Sequence, residues 1–154
     1  MIHDFFPLWC ALLSNGIAQV SQPFVYYYRS GKFDIRHTIE CGGFPSSHTS
    51  TVTALAVAVG LVEGFDSTLF AMAAIFGFIV IYDAINVRWY AGRNIQLTQQ
   101  LISDLNEMFK LPLNDPIYSE KMKDVLGHKF VEAVGGFIVG VATALIAGAC
   151  VGFL

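Results

Sequence analysis

Residues 42–60 read GGFPSSHTSTVTALAVAVG, and the reading of this stretch decides the fold. Two glycines and a proline lead into Ser46, Ser47, His48 and Thr49, and these polar groups open a small-residue apolar segment. Proline suits the first turn of a helix, where its missing N–H would have had no intrahelical partner, and serine or threonine caps a helix start. A helix therefore begins near residue 46. Capping accounts for one hydroxyl; it leaves the others, with Ser50 and Thr51, unexplained. A helix N-terminus also presents unbonded backbone N–H groups and the positive end of the dipole, which suit an oxyanion. Capping alone and an anion site are the two readings of this mouth.

The chain around it has membrane composition: 154 residues, 55% hydrophobic and only 14% charged, with a mean hydropathy of +0.56. A soluble domain of this size would need a polar shell. Here the charges cluster and leave long apolar gaps, and a bilayer crossing takes about 20 mostly apolar residues. The expected fold is all-α and integral to the membrane, one domain over 1–154, with four transmembrane helices at about 5–28, 46–62, 67–85 and 130–153. The first starts near Asp4 rather than a basic region, and Ser14, Asn15, Gln19, Ser21 and Gln22 interrupt it. It reads as a retained helix rather than a signal peptide. Its polar residues should face other helices, because lipid would leave them unpaired.

All nine Lys and Arg residues fall in two places: Arg29, Lys32 and Arg36, and then Arg88, Arg93, Lys110, Lys121, Lys123 and Lys129. With four spans these loops share one side, which the positive-inside rule makes cytoplasmic, with both termini outside. The expected location is a bacterial plasma membrane. Cys10 and Cys150 sit in apolar stretches and Cys41 in a cytoplasmic loop, so no disulfide and no metal site are expected. No cofactor is expected either. Basic residues that flank membrane spans speak for membrane lipids as partners, not nucleic acid.

Within the loop 86–129, Ile95, Leu97, Leu101, Ile102, Leu105, Met108 and Phe109 recur at mostly three- and four-residue steps. This is an amphipathic helix for the interface. LPLNDPIYSEK then reads as a turn-rich linker, followed by a short helix around 120–126 that closes at Gly127. The last span carries Gly136 and Gly140 in GxxxG spacing, repeated at Gly148 and Gly152. Such residues let helix backbones approach closely in lipid, within one chain or between two copies in a homodimer.

Antiparallel connection of the second and third spans brings Asp83, Arg88 and Arg93 to the face where the PSSH stretch begins. Arginine pairs bidentately with phosphate, and serine and imidazole add donors. Either arginine alone reads as a headgroup contact. Taken with PSSH, they suggest a phosphate held at the membrane surface.

At this point GGFPSSHTSTVTALAVAVGLVEGFDS, YDAINVRWYAGR and LGHKFVEAVGG resemble, in order and over nearly the whole chain, the divergent branch of the type 2 phosphatidic acid phosphatase superfamily. The superfamily has three motifs, Lys-x6-Arg-Pro, Pro-Ser-Gly-His and Ser-Arg-x5-His-x3-Asp. The last histidine attacks phosphorus, the aspartate orients it, and the second-motif histidine protonates the leaving group. Pro45-Ser46-Ser47-His48 resembles the second motif, which implies His48 as the acid. Arg88 matches the third-motif arginine, but Asn94 then stands in the place of the nucleophile and Thr98 in that of its aspartate. An asparagine amide does not replace a nucleophilic imidazole. Arg29 and Arg36 have the spacing of the first motif without its Lys or Pro.

A substitute nucleophile is His128, with Glu132 one turn later to hold its ring. In the other reading His128 caps the last helix and Glu132 pairs with Lys129. The candidate catalytic set is His48, His128, Glu132 and Asp83. The phosphate-binding set is Ser46, Ser47, Arg88 and Arg93. Three functions follow: a phosphatase acting on a lipid or isoprenoid phosphate, a protein that binds or transports such a lipid without cleaving it, and a structural scaffold in the membrane.

Overall fold

The computed structural model describes residues 5–31, 43–109 and 129–153. The linker, the short helix at 120–126, Lys32, Arg36, Cys41, Lys110, Lys121, Lys123 and His128 lie outside the described residues, as does the side chain of Arg29. The described residues are helical almost throughout and contain no strand.

Among the described residues five α-helices follow in order: α1 Phe6–Ser30, α2 Ser47–Glu63, α3 Thr68–Tyr82, α4 Arg88–Phe109 and α5 Phe130–Val151. α1 ends at Gly31, whose φ of 69° is left-handed and whose N–H bonds Tyr27 O. This is the position where a residue without Cβ is favoured. α2 ends at Gly64, and Ser67 then caps α3 by accepting from the Phe70 N–H at 3.1 Å. The turn between them has no room for a crossover, so α3 runs back along α2.

The third span and the amphipathic helix are not separated as the sequence pattern implies. A π-helical turn at Asp83–Val87 joins α3 to α4, and the helix is continuous over the 42 residues from Thr68 to Phe109. Nothing between Tyr82 and Tyr90 breaks a helix, since this stretch holds no glycine or proline. At ~1.5 Å per residue the contour is about 63 Å, roughly twice the hydrocarbon thickness. This helix and α5 are the two, among the described residues, that are long and apolar enough to cross a membrane. α1 is interrupted by polar residues and α2 has 17 residues.

α2 is the centre of the bundle and packs against α1, α3 and α5. Small residues make this feasible, with Ala54 and Ala58 fully buried. A Cβ on Gly136 would lie 2.4 Å from Ser46 O, and one on Gly140 2.7 Å from Ser50 O. The first glycine pair of the GxxxG series is thus engaged within the chain, by α2. These contacts also set direction: positions rise together along α2 and α5, so the two are parallel. Along α1 and α2 they run oppositely, with Gln22 at Pro45 and Ser14 at Ser50.

At the end away from the PSSH stretch, Phe6, Cys10, Ala58 and Ala144 form an apolar cluster closed by Phe153, whose ring centroid is 4.7 Å from that of Phe6. The outward sides of α3 and α5 expose Met72, Phe78, Phe137 and Ile146. In water this surface would be a liability; against lipid it costs nothing.

Candidate functional site

The topology gathers four helix ends: the C-terminus of α1, the N-terminus of α2, the C-terminus of α3 and the N-terminus of α5. The sequence-derived site residues that fall among the described residues lie at this end of the bundle or, in the case of α4, beyond it.

Most of the polar mouth of α2 is occupied in holding helices together. Ser46 is fully buried and caps the helix, its Oγ accepting from the Thr49 N–H at 3.3 Å. Its own N–H donates to Glu132 O at 2.9 Å, which ties the start of α2 to the first turn of α5. Ser50 Oγ donates to Ser47 O at 3.0 Å and Ser14 O at 3.3 Å, while Ser14 Oγ donates to Ser50 O at 3.2 Å. Thr51 donates to Ser47 O and accepts from Asn15 Nδ2 at 2.8 Å. Gln22 Nε2 donates to Pro45 O at 3.1 Å.

The expectation that polar residues of the first helix face other helices holds for Ser14, Asn15 and Gln22. These are the residues whose roles motif reading missed. Their signal was present: Ser14, Ala18 and Gln22 recur every fourth residue, one stripe of a helix, and all three are buried. Ser50 and Thr51 thereby find their explanation in α1, and Ser46, Ser47 and His48 remain as the mouth itself. Ser47 is 8% exposed and His48 half-buried.

Gly77 of α3 lies against Val52 of α2, where a Cβ added to the glycine would sit 3.6 Å from Val52 Cβ. Stepping five residues along each antiparallel helix sets Tyr82 level with Ser47 and Asp83 level with Ser46. The π turn begins here. It lets Arg88 Nε meet Asp83 Oδ2 at 2.7 Å across a five-residue separation, with both side chains partly exposed. Such a pair fits the i→i+5 spacing of a π turn, a feature common at functional sites.

Arg88 starts about 7.5 Å along the helix beyond Asp83, and Arg93 about 15 Å beyond it, by helical rise. Arg93 is engaged on α4 itself, donating to Gln96 Oε1 at 3.2 Å and lying 5.9 Å from the Trp89 ring centroid. By this register Ser46, Ser47, His48 and Asp83 fall at about one level along the bundle, with Arg88 and then Arg93 farther along the helix. Glu132 Oε2 accepts from the Lys129 backbone N–H at 3.0 Å, so its carboxylate caps α5. Asn94 and Thr98 lie on the exposed part of α4, where Thr98 Oγ1 donates to Asn94 O at 2.8 Å. Among the described residues, no group of three His, Cys, Asp or Glu side chains is arranged to hold a metal ion.

An all-helical membrane bundle with a Pro-Ser-Ser-His helix start and an arginine on the neighbouring helix defines a class related to the type 2 phosphatidic acid phosphatases. The chain belongs to the divergent PAP2 family, whose model matches residues 4–143. It is 36% identical over 146 residues, 92% of each chain, to an uncharacterized membrane protein, YuiD, of Bacillus subtilis (strain 168). No solved structure matches it.

Proposed function

We propose that this protein crosses the membrane four times and binds a phosphorylated lipid, or an isoprenoid phosphate, at the end of the bundle where α2 begins, without hydrolysing it. One observation supports the reading: by the register of Gly77 against Val52, the start of α2 stands about level with the Asp83–Arg88 pair, which brings helix-start N–H groups and a guanidinium to the same end of the bundle. The helix dipole and Arg88 both favour an anion there. The positive-inside rule, applied to the basic residues of the two connecting stretches in the sequence, favours the cytoplasmic side for this end. Trp89, Tyr90 and Arg93 form an aromatic and cationic cluster at the exit of α3, suited to the headgroup layer.

Binding is preferred to hydrolysis because Asn94 and Thr98 occupy the places of the attacking histidine and its aspartate. They also lie about 16 and 22 Å along the helix beyond Asp83. A structural scaffold is the second reading. It draws on the hydrogen bonds that Ser46, Ser50 and Ser14 make between helices.

The test uses purified protein in phosphatidylcholine nanodiscs doped with phosphatidic acid, phosphatidylglycerol phosphate or a polyprenyl phosphate. Saturable binding lost in Arg88→Ala, with no phosphate released, is the expected result. Phosphate release abolished by His48→Ala or His128→Ala makes the protein an enzyme instead. No binding to any of these lipids leaves the scaffold.

A further inference from the structure

Gln22 is 3% exposed, and its two amide atoms have different fates. Nε2 donates to Pro45 O at 3.1 Å, while Oε1 is buried with no hydrogen-bond partner. The assignment of the two atoms is fixed by that bond: a flipped amide would set oxygen against oxygen. Leaving a buried acceptor unmet is costly, about 1–3 kcal/mol, so a donor is expected at this atom. The amide is anchored to the carbonyl that immediately precedes the cap Ser46, which sets Gln22 beside the start of α2. On the α5 side of the same turn Thr49, 1% exposed, also keeps its Oγ1 without a partner.

We infer that Gln22 is a specificity residue, and that its Oε1 accepts a hydrogen bond from a hydroxyl carried next to the phosphate of the bound headgroup. This rests on the phosphate reading above and narrows it to polyol phosphates. A fully ionised phosphate has no proton to offer Oε1 and would set negative oxygen against it. A headgroup with a hydroxyl on a carbon near the phosphate ester can direct its anionic oxygens to the helix start and its O–H to Gln22. Sites built to bond a hydroxyl discriminate strongly against analogues that lack it, because the buried polar group is then left unpaired. Gly43 contributes to the fit. A Cβ there would come within 2.9 Å of Gln22 Cδ and 3.1 Å of Oε1, so only a residue without a side chain leaves the acceptor room.

The experiment measures binding of phosphatidylglycerol phosphate, which has a hydroxyl beside its terminal phosphate, and phosphatidic acid, which has none, in phosphatidylcholine nanodiscs. The native protein should prefer the first by about tenfold, near the low end of the cost of an unmet buried acceptor. Gln22→Leu and the closer isostere Gln22→Met should remove the preference while retaining binding of phosphatidic acid. Circular dichroism monitors folding of both variants. Equal affinity of the native protein for the two lipids overturns the inference but leaves the phosphate site standing. A preference that survives in a folded Gln22→Met protein overturns it as well, as does an ordered water on Oε1 in a lipid-bound structure. Binding of neither lipid overturns the phosphate site and this inference together.

Discussion

At the scale of single residues, Gly136 is a position with little freedom. A methyl group there would meet the backbone oxygen of Ser46 at 2.4 Å and Thr49 Cβ at 2.9 Å, and backbone cannot rotate away as a side chain can. Gly136→Ala should therefore separate α2 from α5 and cost about 1–3 kcal/mol, the usual range for overpacking. Thermal unfolding in detergent measures it. Gly16→Ala is the control, since nothing lies within 4 Å of its added Cβ, and alanine should leave stability unchanged or raise it slightly. Ser46→Ala removes the cap oxygen of a fully buried helix start. Its expected loss is about 1 kcal/mol, read in the same assay.

At the scale of elements, the π turn is the informative one. Asp83 and Arg88 are both partly exposed, so their ion pair should contribute at most about 1 kcal/mol to stability and weaken with salt. Arg88→Ala should accordingly leave the unfolding midpoint nearly unchanged while abolishing lipid-phosphate binding. If the midpoint falls as steeply as for Gly136→Ala, the arginine is structural and the proposed site loses its main cation. The turn also sets the direction of α4. Because it joins two helices without a break, the apolar face bearing Leu97, Leu101 and Met108 is carried away from the bundle and remains exposed.

At the scale of the whole molecule, the arrangement is one central helix with neighbours on three sides and all the candidate chemistry at one end. The proposed four spans carry a proposed sidedness, which is tested at this scale. In a cysteine-free background, Asp66→Cys in the α2–α3 turn should react with a membrane-impermeant maleimide on intact cells. Gln99→Cys on α4 should react only after permeabilisation. The opposite pattern would invert the topology and place the candidate site outside.

Composition and periodicity were sufficient for an all-helical membrane-type chain, because these depend on local backbone chemistry and on the solvent. The motif blocks were sufficient for the family, since their residues stand close together in the chain. Tertiary structure decided the rest. Whether Ser50 and Thr51 faced a ligand or another helix depended on Ser14 and Asn15, which lie 36 residues earlier. Whether Gly136 served one chain or two depended on the backbone of Ser46, ninety positions away, and no local pattern reports that approach. The joining of α3 to α4 was likewise not legible, because a π turn is made by hydrogen bonds one residue longer than those of an α-helix and the same residues are compatible with either.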